Sequence, residues 1–170
     1  MIDVYLLLGS NENERLESLQ KAKKLIESRC GKMIKQSQIY ETEAWGVKEQ
    51  HSFLNQAIAI ETSLEPLELL QTLKQIEKET GRVETIKWGP RVIDIDILFY
   101  GNRVVETKEL KIPHPYLHQR KFTLAPLNEI AAEFVHPLFN KSVNELFQEC
   151  GDASSVNTLN SQFSNLNPKS

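Results

Sequence analysis

An α+β fold, with helices laid against a mostly antiparallel sheet, is predicted by three features of this sequence. Apolar strand-like runs and helix-spaced stretches follow one another in the order β-α-β-β-α-β, which suits a split β-α-β layer. Turn and cap residues stand where those elements would begin or end: Gly9-Ser10-Asn11, Gly31, Pro66 and Gly81. The length of 170 residues is enough for one domain with a real core and too short for two ordinary ones.

Each element has its own signal. Val4-Tyr5-Leu6-Leu7-Leu8 is a short apolar run closed by Gly9-Ser10-Asn11, as expected of a buried strand ending in a turn. From about Asn13 to Ser28, Leu16, Leu19, Ala22, Leu25 and Ile26 recur at helical spacing, with Gly31 just beyond. Residues 33–41 form a weaker strand candidate. Phe53 to Thr62 alternates, so Phe53, Asn55, Ala57 and Ala59 share one face and Leu54, Ile58 and Ile60 the other. The second helix starts near Pro66, carries the stripe Leu69, Leu70, Leu73 and Ile76, and stops before Gly81. A strand from about Ile93 to Tyr100 follows, with Gly101-Asn102 expected to turn it into a hairpin with Val104-Val105. Ser142-Val143-Asn144-Glu145 has the form of a capping box opening a last short helix. From Gly151 onward Ser and Asn dominate. The expected division is therefore one domain over residues 1–150 and a loosely held polar tail over 151–170.

Composition narrows the class. Hydrophobic residues make up 40% and charged residues 25%, as in soluble globular proteins. A net charge of −3 gives no general attraction to nucleic acid or anionic membrane, so neither is an expected partner. No apolar run approaches a membrane span. Met1 to Gly9 has no basic segment ahead of its apolar residues and reads as a strand rather than a secretory signal. Cys30 and Cys150 lie far apart without metal-ligand spacing, and a reduced cytoplasmic setting is the expectation.

The chemistry concentrates in Lys87-Trp88-Gly89-Pro90-Arg91-Val92-Ile93-Asp94-Ile95-Asp96-Ile97-Leu98. On a strand the three isoleucines point one way and Asp94 and Asp96 the other, roughly 7 Å apart. Two carboxylates that close repel each other unless a cation lies between them. Mg²⁺ takes one or two carboxylates and completes its shell with water and substrate phosphates, so the pair reads as an anchor for a metal–triphosphate. The bland alternative is a solvent-facing strand edge with two incidental acids. The cations around it, Arg82, Lys87, Arg91, Lys111 and Arg120, favour phosphoryl or pyrophosphoryl transfer, where electrostatic stabilisation dominates. No Gly-x-x-x-x-Gly-Lys-Ser/Thr loop and no Gly-x-Gly-x-x-Gly is present. His114 and His118 have zinc-like spacing, but Pro113 and Pro115 argue against one helix carrying both, and no third ligand is evident. Phe53 beside Asn55 on one strand face suits a flat heterocycle with an amide edge, although a lone Phe is more often core. Trp45 and Trp88 fall in expected loops, as lid residues or as caps over the core.

Taken together these residues resemble the 6-hydroxymethyl-7,8-dihydropterin pyrophosphokinase family. The resemblance rests on Trp88-Gly89-Pro90-Arg91-Val92-Ile93-Asp94-Ile95-Asp96, Leu8-Gly9-Ser10-Asn11, Phe53-Leu54-Asn55, Ile76-Glu77 with Gly81-Arg82-Val83, Ile112-Pro113-His114-Pro115 and Arg120-Lys121-Phe122, in order over roughly the first 148 residues. It implies a ferredoxin-like fold and transfer of pyrophosphate from Mg-ATP to the hydroxymethyl group of the reduced pterin, with AMP released, a step in folate synthesis. Asp94 and Asp96 would hold two Mg²⁺ ions. Arg82 and Arg91 would contact the ATP phosphates and act with the Asp pair in catalysis. Lys74, Glu77, Trp88, Ile97, Lys111, His114 and Arg120 would help bind ATP. Phe53 and Phe122 would sandwich the pterin, with Asn55, Thr42, Glu43, Trp45 and Asp94 at its edge. Loops around 43–52 and 82–91 would close over bound ATP.

Several positions depart from that pattern: Lys87 stands for the usual Arg, Glu84 and Thr85 replace common basic residues, Lys74 replaces an occasional Gln, and Glu109 sits where a basic residue can touch nucleotide. ATP affinity is expected to differ while Arg82, Arg91, Asp94 and Asp96 are intact. The expected step is direct attack of the pterin hydroxyl on the β-phosphorus, since no nucleophile stands with a partner base; Asp96 is a candidate, weak proton acceptor. A metal-dependent phosphohydrolase would use the same pair but calls for further acidic ligands, and a non-catalytic RNA-binding module would stack bases on sheet aromatics. The acidic balance opposes the latter. The sequence leaves the oligomeric state open, a monomer being one of the states it allows.

Overall fold

The computed structural model describes residues 1–12, 14–42, 52–81 and 92–159. Its elements are β1 (Ile2–Ser10), α1 (Arg15–Arg29), β2 (Gly31–Gln36), β3 (Tyr40–Thr42), β4 (Phe53–Thr62), α2 (Pro66–Thr80), β5 (Asp94–Tyr100), β6 (Val105–Glu106), β7 (Lys111–Ile112), α3 (Lys121–Ala131), α4 (Val143–Glu149) and β8 (Val156–Thr158). A short 3₁₀ turn at Leu117–Gln119 precedes α3.

All pairings in the main sheet are antiparallel, in the order β5-β1-β4-β3-β8, with β2 also on β4. Taking β2 and β3 as one interrupted strand, the order β-α-β-β-α-β is the expected one, and the fold is of the ferredoxin-like type. The break has a physical reason. Ser37 steps out of the ladder: its N–H donates to Ala57 O and its hydroxyl accepts from Ala57 N–H, so one strand becomes two along β4.

Both faces of the sheet are covered, which is why β1 is buried from Val4 to Ser10. On one face Val4, Leu6 and Leu8 meet Leu19, Ala22 and Ile26 of α1 and Leu69, Leu73 and Ile76 of α2. On the other, Tyr5, Leu7, Ala57, Ala59 and Phe99 meet Leu124, Leu127 and Ala131 of α3 and Leu146 of α4. Burial of this kind stabilises by roughly 25 cal/mol per Å² of apolar surface. Gly81 ends α2 in the left-handed region at φ 114°, and Ser142 opens α4 with a complete capping box, both as the sequence indicates.

Two expectations are corrected. Gly101 does form a turn, with Arg103 N–H donating to Tyr100 O. The strand that follows pairs with β7, however, not back onto β5. The tail expected to be loose from 151 contributes β8, which pairs with β3. Sequence spacing gives no signal for α3: Pro126 lies inside it, where its missing N–H and its ring ordinarily break a helix, yet packing of Leu124, Leu127 and Ala131 against the sheet carries it.

Candidate active site

The helices cover only part of the second sheet face. At the end where β1 stops and β4 and β5 start, one row of paired residues crosses the sheet: Asp94 beside Gly9, Gly9 beside Asn55, and Asn55 beside Tyr40. Alternation puts Asp94, Asp96, Asn55 and Phe53 on this face. Gly9, buried and without a side chain, separates Asp94 from Asn55, about 10 Å apart at two strand spacings. Asn55 and Phe53 pack directly over it: a Cβ on Gly9 would lie 2.9 Å from Asn55 Oδ1 and 3.6 Å from the Phe53 ring.

The pterin-side residues named from the sequence are held by β4 and β3. Asn55 is buried and its Nδ2 donates to Thr42 Oγ1 at 2.9 Å, so Thr42 orients the amide. Phe53 is half-buried one pleat further along.

On β5 the two aspartates are half-buried while Ile93, Ile95 and Ile97 enter the core. The strand between the acids is fixed from outside the sheet. Ile95 N–H donates to Glu77 Oε2 of α2 at 2.7 Å, and Glu77 is itself buried. Glu77 thus has a structural task, holding the edge strand that presents the acids.

Register between β1 and β5 slips by one residue between Tyr5 and Leu6, leaving Leu98 as the extra residue of β5. Such a bulge re-aims the local backbone. Here Leu98 O turns to accept His114 N–H at 3.0 Å, which brings His114 Nε2 to 3.9 Å from Asp96 Oδ2. His114 Nδ1 accepts the Tyr116 N–H at 3.1 Å. Burial, helped by the Arg120 charge, pushes the imidazole down to about 4, so at neutral pH it is uncharged and its Nε2 carries the proton.

Arg120 is buried at the N-terminal end of α3. Its guanidinium lies 4.9 Å from the centre of the Tyr116 ring and 5.5 Å from that of half-buried Phe122, within cation–π range. Burial lowers its pKa, while Asp96, Asp94 and Tyr116 pull the other way. It remains a cation, and its coupling to both acids sets it on their side of the face.

The structure therefore brings together Asp94, Asp96, His114, Arg120 and Phe122 with Phe53, Asn55 and Thr42. Lys74 is exposed on α2, three residues before Glu77, and Lys111 is exposed on β7. Ile97 is 5 % exposed and part of the core, which leaves only its backbone for a nucleotide. Glu43, Trp45, Arg82, Trp88 and Arg91 lie outside the described residues, as do nearly all of the expected closing loops. Tyr116, beneath Arg120, was not singled out from the sequence. Its place between His114 and Arg120 was the available hint, but only the fold brings the ring under the guanidinium.

The donors suit a hard cation. Among the described residues no group of three or more His, Cys, Asp or Glu could hold a metal. Two half-buried carboxylates suit a magnesium ion that shares its shell with phosphates better than a closed structural site of four protein ligands.

Comparison with known proteins identifies the family. The family model described as 7,8-dihydro-6-hydroxymethylpterin-pyrophosphokinase (HPPK) matches residues 5–132. A 2-amino-4-hydroxy-6-hydroxymethyldihydropteridine pyrophosphokinase of Aquifex aeolicus is 46% identical over 149 residues, 88% of this chain and 92% of that protein. The folic acid synthesis protein FOL1 of Dictyostelium discoideum is 41% identical over 143 residues, 84% of this chain but 22% of that much longer protein. Among solved structures, the Plasmodium falciparum HPPK-DHPS wild type superposes with a TM-score of 0.70 at 17% identity, over 87% of this chain and 44% of that one; at that identity the likeness bears on fold alone.

Proposed function

This chain belongs to the 7,8-dihydro-6-hydroxymethylpterin-pyrophosphokinase family, and we propose that it transfers pyrophosphate from ATP to 6-hydroxymethyl-7,8-dihydropterin, a step in folate synthesis, with AMP released. The observation that carries the reading is the row Asp94–Gly9–Asn55, with carboxylates at one side and an oriented amide at the other.

The flat pterin would lie between Phe53 and Phe122. Asn55 can donate to a carbonyl and accept from a ring N–H, and its bond to Thr42 fixes which of its atoms faces the ring. Asp94 and Asp96 would hold magnesium, two ions in this reading, which when bound neutralises the triphosphate and polarises its phosphorus. Arg120, a buried cation on the same side, would bind phosphate, and Arg82 and Arg91 would add two more. Neutral His114, with its proton on Nε2, can donate to a phosphate oxygen without adding charge. The pterin hydroxyl would attack the β-phosphorus directly, its proton passing to solvent or to Asp96. Trp88 would pack on the nucleotide, and Lys74, Lys111 and the Ile97 backbone would border it. Glu43 and Trp45 would reach the pterin edge.

No helix among the described residues is long and apolar enough to cross a membrane, and we place the enzyme in the cytoplasm, acting as a monomer on two small substrates. The test is to mix the pure protein with Mg-ATP and hydroxymethyldihydropterin. AMP and pterin diphosphate are expected in equal amounts; ADP, or phosphate released without pterin, would overturn the assignment.

A further inference from the structure

The helix that carries Arg120 and Phe122 receives no cap from its own leading residue: Arg120, at the N-cap position, makes no side-chain capping bond. The cap comes from far along the chain. Asp152 Oδ2 accepts the Lys121 N–H at 3.0 Å, satisfying an orphan donor of the first turn and placing a negative charge at the positive end of the helix. The other oxygen, Oδ1, accepts from the Ser154 N–H at 2.9 Å and from the Ser154 hydroxyl at 2.6 Å, so the carboxylate is clamped from behind. Burial would raise the Asp152 carboxyl, but the bonds from Ser154 and Lys121 outweigh it and hold it below its ordinary value.

The same segment then reaches the opposite wall of the slot. β8 pairs with β3 in the register Thr42–Val156, Glu41–Asn157 and Tyr40–Thr158, and the Leu159 N–H donates to Ile39 O at 2.7 Å. β3 is the strand whose Thr42 orients Asn55. A single stretch of chain thus ties the helix end bearing Arg120 and Phe122 to the strand behind Asn55. It lies beyond residues 5–132, the span of the family match.

From this we infer that residues 152–158 are a brace that positions both walls of the pterin slot, with Asp152 acting as a positioning residue for Arg120 and Phe122. The inference rests on the reading of Phe122, Arg120 and Asn55 as substrate-binding residues. Without the cap the first turn of α3 frays part of the time. Substrate then binds only the ordered fraction, and its apparent affinity falls by that fraction.

The experiment is steady-state kinetics on the full chain at a temperature where every variant is folded, with Phe122→Ala as reference. Asp152→Ala is expected to raise KM for the pterin about fivefold, to change kcat by less than about twofold, and to speed hydrogen exchange at the Lys121 amide. Asp152→Asn, which keeps one accepting oxygen, is expected to fall between, and it carries the test if the alanine variant does not fold. An unchanged pterin KM in a folded Asp152 variant, even with a lowered Tm, would reduce the segment to mere support and overturn the inference. If Phe122→Ala itself leaves the pterin KM unchanged, the site reading beneath it fails instead.

Discussion

At the scale of single residues the site depends on contrast between neighbours. Ile95 is driven into the core while Asp94 and Asp96, one residue to either side, stay half-buried on the other face. This alternation lets a strand supply both a packed core and a charged surface. Because the aspartates contribute little to packing, replacing them should spare the fold. Asp94→Ala and Asp96→Ala are each expected to reduce turnover by roughly a thousandfold or more while far-UV circular dichroism and Tm stay near the parent values; near-normal rates in either folded variant would remove the metal-anchor role. Gly9 shows the opposite dependence, on the absence of a side chain. It is the position between the acids and the amide, and any Cβ there meets Asn55 Oδ1 at 2.9 Å, closer than van der Waals contact allows.

At the scale of elements, the site stands where edges are tied down by side chains from other elements. β5 is an edge strand, and an edge strand leaves backbone groups in search of partners. Glu77 of α2 supplies one at Ile95 N–H. Glu77→Ala would strand that buried N–H and is expected to cost about 1–3 kcal/mol of stability, read from urea unfolding. Turnover should fall beyond what the remaining folded fraction explains, because the strand presenting Asp94 and Asp96 loosens. Loss of stability with full specific activity would confine Glu77 to the fold. On the other side of α3, Glu129 accepts from the Tyr40 hydroxyl at 2.8 Å and from the Gln38 N–H. The helix is thereby linked to the region around β3 along its length as well as at its start.

At the scale of the whole molecule, two histidines make stability depend on pH. Burial, with the nearby His118 adding to it, pushes His136 down to about 4, and its Nδ1 accepts the N–H groups of Leu138 and Phe139. Burial does the same to His114. In the unfolded chain both take up a proton near pH 6.5; in the folded chain they do so only near 4. Between those values the unfolded state binds more protons, so stability falls as pH drops through that window. The expected loss is about 2 kcal/mol per histidine at pH 5 relative to pH 7.5, measured by denaturant unfolding at the two pH values. His136→Phe, which also keeps an aromatic ring beside Phe99 and Phe139, should remove about half of the dependence. A flat profile from pH 7.5 to 5 would show that neither imidazole is held neutral.

What was legible from residues alone is what is local or strictly periodic. The strand Phe53–Thr62, the helix between Pro66 and Gly81, the capping box at Ser142 and the two-faced Ile93–Leu98 run follow from spacing and cap chemistry within a few positions. The family resemblance likewise came from short motifs in order, and of the residues it named, Asp94, Asp96, His114, Arg120, Phe122, Phe53, Asn55 and Thr42 lie on one side of the sheet, while Glu43, Trp45, Arg82, Trp88 and Arg91 lie outside the described residues. What only the tertiary structure decided is what depends on distant chain segments meeting. The partner of Val105 is Ile112 rather than β5, because pairing is settled by which strand lies alongside and not by the turn. Pro126 sits inside a helix because the apolar face of α3 gains more by packing on the sheet than one lost backbone bond costs. Asp152 caps a helix 31 residues earlier in the chain, and no spacing rule reaches that far: a hydrogen bond reads distance in space, while periodicity reads distance along the chain.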